Sequence, residues 1–186
     1  MNNKTDSNSQ AGFSYIDLLI SMVIFLVGIL GMTGALAANR MRAQIIEKQL
    51  AAKQLGLSSL ETILAAKELK PTEEISGWDT IGNVGSNPIN NVNRGIFETD
   101  FRPIRQGNGA DGIVGTADDA CSNTAQACGT NDTPVIAGFA RKIEIADVSS
   151  TEYSTIRQRN VTVTIRYQVN GRNMEEVIKT ILTDYR

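Results

Sequence analysis

The sequence predicts an α+β protein in which one long N-terminal helix packs on a small antiparallel β-sheet. Three observations predict this fold class: an apolar run near the N-terminus, a helix-forming stretch that continues it without proline, and alternating strands beyond Pro71. The 186 residues divide accordingly into a polar segment at 1–12, a helix at 13–70 and a β-sheet body at 71–186. Their length allows one modest domain beside the helix.

The first half of the predicted helix, residues 13–38, has the composition of a membrane span. Residues 18–38 form 21 consecutive apolar or small residues, and Asp17 is the only ionisable side chain between Phe13 and Asn39. At 1.5 Å per residue the run reaches ~31 Å, about the hydrocarbon thickness of a bilayer. A soluble core helix and a secretory signal cut after Ala37 are the alternatives. The run exceeds the length of a signal's apolar region, and the segment before it is not basic.

The second half of the predicted helix, residues 39–70, is amphipathic. It contains no proline and one glycine, and Pro71 ends it because proline lacks a backbone donor. Apolar residues recur at helical spacing, and we expect this stripe to pack on the body. The stripe consists of Ile46, Leu50, Leu57, Leu60 and Leu64.

The body shows the two-residue period of half-buried strands. Val161 to Val169 alternates apolar and polar residues, and the Asn170-Gly171 turn signal predicts Met174 to Thr183 as its hairpin partner. Arg94 to Ile104 and Phe139 to Val148 are two further predicted strands. We therefore expect about four antiparallel strands with one face covered by the amphipathic half of the helix.

Composition excludes several functions. The chain has no histidine, which removes serine and cysteine catalysis that depends on imidazole, and histidine-ligated zinc. A formal net charge of -2 gives no basic surplus for nucleic acid, so no nucleic-acid partner is expected. We predict that the protein is not an enzyme.

The N-terminal motif resembles the class III signal of type IV pilins and type II secretion pseudopilins. The sequence reads Ala-Gly-Phe-Ser-Tyr-Ile-Asp-Leu from Ala11 and runs directly into the apolar stretch. In that family a short polar leader ends in Gly, Phe usually follows, and an acidic residue lies four positions beyond the Phe. Within the family, the stretch from Val27 to Met32 is most similar to PilV-type minor pilins.

The resemblance implies a maturation pathway. Residues 1–12 would be a leader peptide, which prepilin peptidase removes by cutting between Gly12 and Phe13, and the new amine of Phe13 would be methylated. The precursor would cross the bacterial inner membrane once, with its body outside the cytoplasm, contact lipid and the assembly machinery, and then join other pilin subunits in a pilus or periplasmic pseudopilus. The lysine and arginine bias opposes this orientation, since more of these residues follow the run than precede it. The family signal outweighs that statistical rule.

Asp17 is the residue to which the resemblance gives an assembly role. An intramembrane carboxylate costs ~2.5–3.5 kcal/mol at a helix centre and less near its end, so it needs a partner. The family implies the amine of a neighbouring Phe13; the alternative is a carboxylate at headgroup level. Three features depart from the commonest pattern: Asp stands where Glu is usual, Tyr15 stands where an aliphatic residue is more common, and three glycines replace a mid-helix proline. The glycines are Gly28, Gly31 and Gly34. These glycines would permit close helix packing or local unwinding.

The body contains two candidate stabilising features. Cys121 and Cys128 lie in one polar loop, and an even pair outside the cytoplasm predicts a disulfide; half of a metal site is the alternative. Asp111, Asp118 and Asp119 lie in a glycine-rich acidic loop, which suits the oxygen ligands of calcium but lacks EF-hand spacing. Calcium is therefore a possible cofactor, against the alternative of a solvated loop.

Two functions of other classes stay open from the sequence. One is a permanently anchored extracytoplasmic binding domain whose leader is never cut, and the other is a secreted enzyme released after Ala37. The N-terminal residue of the mature chain separates the three: Phe13 for a pilin, Met1 for an uncut anchor and Ala38 for a secreted enzyme.

Overall fold

The computed structural model describes residues 14–69, 73–109, 111–119, 133–148 and 156–185. The chain divides into two units, Met1–Gln44 and Ile45–Arg186. One helix, α1 (Tyr15–Glu68), runs through both units, and a short helix α2 (Gly77–Thr80) follows it. The strands are β1 (Pro88–Ile89), β2 (Val92–Asn93), β3 (Arg102–Arg105), β4 (Val135–Asp147), β5 (Ile156–Val169) and β6 (Arg172–Tyr185).

The predicted α+β class is confirmed. Strands β3 to β6 form one antiparallel sheet in sequential order, and β1 and β2 form a separate two-stranded pair. The predicted hairpin is β5–β6, where Val161 pairs with Thr180 and Val169 pairs with Arg172. Asn170 and Gly171 have φ values of 50° and 76°, the left-handed backbone that a type I′ turn requires.

The predicted strand from Arg94 to Ile104 is mostly wrong. Only β3 (Arg102–Arg105) is a strand, and Pro103 lies within it. Residues 94–101 are irregular instead, with a single bridge from Phe97 to Asn83. The Phe97 ring is fully buried there. An irregular segment that buries an aromatic side chain has a composition like that of a strand, although it forms no ladder of backbone hydrogen bonds with a neighbouring strand.

The core lies between the sheet and the second half of α1. Strand β5 supplies its centre through alternate residues, as the two-residue period predicts. The buried cluster consists of Ala52, Ile63, Trp78, Ile81, Phe97, Ile104, Phe139, Ile143, Val161, Val163, Ile165, Tyr167, Val169 and Leu182.

The face of α1 that contacts the sheet differs from the predicted stripe. The fully buried residues of α1 are small, apart from Ile63, with Ile45, Leu55 and Leu60 partly buried beside them, and a Cβ on Gly56 would stand 2.6 Å from Ile178 Cδ1. These small residues allow the helix backbone to approach the sheet closely. The buried positions are Ala52, Gly56, Ser59, Ile63 and Ala66.

Four of the five residues in the predicted stripe are therefore exposed, and only Leu60 packs partly against the core. We call the four exposed residues the leucine row: Ile46, Leu50, Leu57 and Leu64, which are 63%, 56%, 52% and 47% exposed. The predicted docking of these four side chains on the body is wrong, because the smaller residues occupy the interface.

Candidate functional site

The described residues of the first unit are exposed and mostly apolar. Every residue from 14 to 44 is exposed, and these include large side chains such as Phe25, Leu30 and Met32 at 66–70% exposure. An 18-residue window of α1 has a mean hydropathy of 2.4, and among the described residues α1 is the one helix long and apolar enough to cross a membrane. By length and composition, this segment fits a membrane anchor or a signal.

Asp17 lies in the first turn of α1, where its charge is favourable. The backbone N–H of Asp17 donates to the Ser14 carbonyl at 3.0 Å, and Asp17 is exposed. A carboxylate in the first turn interacts favourably with the positive end of the helix dipole. Gly12 and Phe13, the predicted cleavage residues, lie outside the described residues.

The three glycines of the apolar segment have open surroundings. A Cβ built on Gly28, Gly31 or Gly34 has no other atom within 4 Å, apart from neighbouring backbone of the same helix. All three occur inside a continuous α-helix. The structure therefore describes this stretch as helical, with three positions on its surface that carry no side chain.

The acidic loop is closed by its own carboxylates. Asp111 Oδ1 accepts the N–H of Ile113 at 2.7 Å, and Asp118 Oδ2 accepts the N–H of Asp111 at 3.1 Å. Asp118 Oδ1 also accepts the Thr116 hydroxyl at 2.5 Å. Carboxylates that accept nearby backbone N–H groups hold tight turns together, so these side chains have a structural role in the loop.

Asp119 ties this loop to the sheet and to α1. Its Oδ2 accepts the Gly115 N–H at 2.8 Å and a bond from Arg141 Nη2 at 2.6 Å, while Arg141 Nη1 donates to the Ser59 hydroxyl at 3.2 Å. Burial raises the pKa of Asp119 although Arg141 opposes the rise, and burial lowers the pKa of Arg141. The pair is a buried ionic link between the loop, β4 and the helix.

A cavity of about 380 Å³ opens beside this link. Its charges are mixed: Arg102, Arg105 and Arg141 face it together with acidic side chains. Asp119 Oδ1 is buried and accepts no hydrogen bond from the residues that the structure describes, and it does not open onto the cavity. The cavity therefore presents no single charge sign that would select a ligand. It is lined by Glu98, Asp100, Arg102, Pro103, Arg105, Gly115, Thr116, Ala117, Asp119, Arg141 and Ile143.

This structure tests neither the metal prediction nor the disulfide prediction. Cys121 and Cys128 lie outside the described residues, so the disulfide stays a prediction. Within the described ranges, no three acidic, histidine or cysteine side chains are grouped to hold a metal ion. The calcium hypothesis also stays a prediction, with Asp111, Asp118 and Asp119 engaged as acceptors and Asp119 held by Arg141.

We expect calcium to leave the melting temperature of the protein unchanged, because a cation would have to displace hydrogen bonds that the three carboxylates of the loop already accept. Thermal unfolding followed by the fluorescence of Trp78, with and without millimolar calcium, measures this. An increase in melting temperature that magnesium does not reproduce, and that Asp118→Asn abolishes, would instead establish a calcium site in the loop.

A second arginine cluster was not predicted from the sequence. The Arg159 side chain is 9% exposed, stacks on the Trp78 ring at 4.6 Å and pairs with Asp147 at 2.7 Å. It also donates to the backbone carbonyls of Trp78 and Ile81. Arg159 therefore fastens the segment after α1 to the sheet. The only signal in the sequence was an arginine at an inward position of an alternating strand.

Comparison with protein-family models, curated proteins and solved structures finds no match to this chain. The long apolar helix on an antiparallel sheet is a pilin-like architecture, and function must be argued from the chain itself.

Proposed function

We propose that the chain is a structural subunit of a type IV pilus or a related secretion pseudopilus, with the role of a minor pilin. The observation that carries the proposal is the exposed apolar run at residues 18–38, which continues the class III signal motif that begins at Ala11. Such a surface is stable only in lipid or against other apolar helices. A pilin uses the two environments in succession.

Maturation follows from the motif at residues 11–17. Prepilin peptidase would cut between Gly12 and Phe13, where glycine offers the protease an unhindered backbone, and the amine of Phe13 would then be methylated. The precursor is a single-pass protein of the bacterial inner membrane with its body outside the cytoplasm. After cleavage, the assembly machinery moves the subunit from the membrane into a pilus or periplasmic pseudopilus.

Lateral packing of the apolar helices supplies the assembly force. Gly28, Gly31 and Gly34 leave room on α1 for the backbone of a neighbouring helix to approach. Asp17 would neutralise the amine of a neighbouring Phe13, which fixes the stagger between subunits. The chain carries out no covalent chemistry in this account, and its partners are other pilin subunits, prepilin peptidase, the assembly machinery and membrane lipid.

Replacing Asp17 with Ala tests the assembly step. We expect the variant to insert into the membrane and to be cleaved normally, because removing a charge from an apolar helix favours insertion. Incorporation into filaments should fall to background, because the amine of the neighbouring subunit loses its partner. The measurement is the ratio of this subunit in sheared filaments to that in membranes, by quantitative mass spectrometry.

Asp17→Glu is the matched control, because it keeps the carboxylate on a longer side chain, and it should incorporate at least as well as the native chain. Normal incorporation of Asp17→Ala would contradict the proposed pairing with the amine.

A further inference from the structure

Strand β6 has an open edge. It pairs with β5 along its whole length, from Arg172 to Tyr185, and it is the last strand of the sheet. In the part of the chain that the structure describes, no strand pairs with its outer edge. At the edge of an antiparallel sheet, the N–H and C=O groups of alternate residues point outward. The extended backbone of another segment can form hydrogen bonds with these groups.

The two edges of the sheet differ in how well they are protected. Edge strand β3 has four residues and includes Pro103, which has no N–H to donate. Strand β6 has 14 residues and no proline, and Val177, Ile178 and Ile181 favour the extended conformation. Of the two edge strands that the structure describes, β6 is therefore the one suited to accept another strand.

The leucine row lies on the flank of α1 next to this open edge. On the sheet side of α1, Ser59 contacts Arg141 of β4, whereas a Cβ on Gly56 would meet Ile178 of β6 at 2.6 Å and Ile165 of β5 at 3.4 Å. Gln49 and Lys53 also reach β6, through Glu176 at 3.3 and 3.6 Å.

With about 100° between successive residues, Ser59 lies about 60° to one side of Gly56 and Leu57 about 100° to the other. The rotation from β4 to β6 thus continues to Leu57 and the rest of the row, so the row points to the side of α1 that lies beyond its contacts with β6.

We propose that the β6 edge and the leucine row form a docking groove for an extended segment of a partner protein, which joins the sheet as an additional strand. The edge supplies backbone hydrogen bonds, and the exposed leucines supply an apolar wall for every second side chain of the segment. From Leu50 to Leu64 the wall is ~21 Å long, which corresponds to about six strand residues.

A second copy of this chain does not fit the groove. This step rests on the proposed function, in which all copies enter one membrane in the same direction. Antiparallel pairing of two β6 strands would reverse α1 between the copies. Symmetric parallel pairing would place Glu175 opposite Glu175, a like-charge pair that destabilises a sheet.

The face of β6 away from α1 specifies the chemistry of the partner. Glu176 and Ile178 face the helix, so the alternate residues Glu175, Val177 and Lys179 face the other way. Val177 is 48% exposed, and Glu175 keeps an exposed side chain although Arg166 pairs with it at 2.8 Å. Cross-strand pairing favours a basic residue opposite Glu175, an aliphatic one opposite Val177 and an acidic one opposite Lys179.

A synthetic peptide of about eight residues with this pattern tests the proposal, with leucine or valine at the positions that face the helix. The full chain, unassembled and reconstituted in phospholipid nanodiscs, is titrated against the labelled peptide by fluorescence anisotropy. We expect saturable binding and slower hydrogen exchange at alternate amides of β6. This assay requires neither leader cleavage nor filament assembly, so its failure is distinct from failure of the proposed function.

Two paired controls establish the binding mode. N-methylation of the peptide amides that face β6 should weaken binding about tenfold or more, while methylation of the alternate amides leaves it unchanged. Leu57→Glu should weaken binding by a similar factor, and Leu69→Glu should not, although both leucines are 52% exposed.

Three results would overturn the proposal. The first is the absence of binding by the patterned peptide at millimolar concentration, and the second is an equal effect of both methylation patterns. The third is protection of β6 that rises with protein concentration in the absence of peptide, which would identify a second copy as the occupant.

Discussion

Replacement of Arg159 by methionine is expected to destabilise the body by about 3–5 kcal/mol, because it removes several charged hydrogen bonds of a buried guanidinium, although the Ile81 carbonyl keeps a bond from Asn87 Nδ2 at 2.9 Å. Arg159 bonds to the carbonyls of Trp78 and Ile81, to Asn87 Oδ1 at 3.2 Å and to the carboxylate of Asp147. Methionine keeps much of the side-chain volume but none of these bonds. Chemical unfolding in nanodiscs, followed by the fluorescence of the single tryptophan, measures the change.

Arg157→Met is the matched control on the same strand and against the same ring. The native Arg157 guanidinium lies 5.4 Å from the Trp78 ring and pairs with Asp184 and Asp79, but the Arg157 side chain is 30% exposed. More exposed ion pairs contribute little, so we expect a loss of about 1 kcal/mol or less. Equal losses for the two variants would show that burial of Arg159 is not what fastens this segment.

Gly77→Ala is the second change with a large expected effect. A Cβ at Gly77 would overlap the backbone carbonyl oxygens of Ala66, Lys67 and Leu69, at the end of α1. Backbone atoms cannot rotate away as a side chain can, so the first turn of α2 must separate from the helix end. We expect a loss of about 3 kcal/mol or more in unfolding free energy, measured in the same assay.

Gly56→Ala separates this effect from a general intolerance of larger side chains. Its Cβ would meet the flexible end of Ile178 at 2.6 Å, and alanine also favours the helix. The result expected for Gly56→Ala is a change of about 1 kcal/mol or less. If Gly77→Ala proved as mild, the close approach of α2 to the end of α1 would not be a constraint on the fold.

The sequence was sufficient to predict the helix and the hairpin. Strong helix formers without proline from Asn39 onward predicted a helix to residue 70, and α1 is described as Tyr15–Glu68. The alternation around Val163 and the turn at Asn170-Gly171 predicted β5 and β6, because both are local signals. These elements require no knowledge of their partners.

The face of α1 that packs could not be predicted from periodicity alone. The leucine row and the small residues around Gly56 both repeat at helical spacing, so each forms a stripe. Hydrophobicity favours the leucines, whereas close approach to the sheet favours glycine, alanine and serine. The distance between the helix axis and the sheet decides which of the two stripes packs. That distance depends on contacts between residues that are far apart in the sequence.

The burial of two arginines could not be predicted from the sequence for a related reason. Arg141 and Arg159 occupy strands, where an arginine normally indicates an outward face. Their partners, Asp119 and the carbonyls near Trp78, lie 22 and about 80 residues away in the chain. The acidic loop was recognised as a feature, but the bonds by which its carboxylates close the turn are visible only in three dimensions.

The N-terminal residue of the mature protein tests the central claim most directly. Intact-mass and peptide mass spectrometry of material purified from the membranes and sheared filaments of its native host measures it. We predict a chain that begins at Phe13 with a methylated amine and is present in both fractions. A chain that retains Met1 to Gly12, one that begins at Ala38, or its absence from every filament fraction would contradict the account.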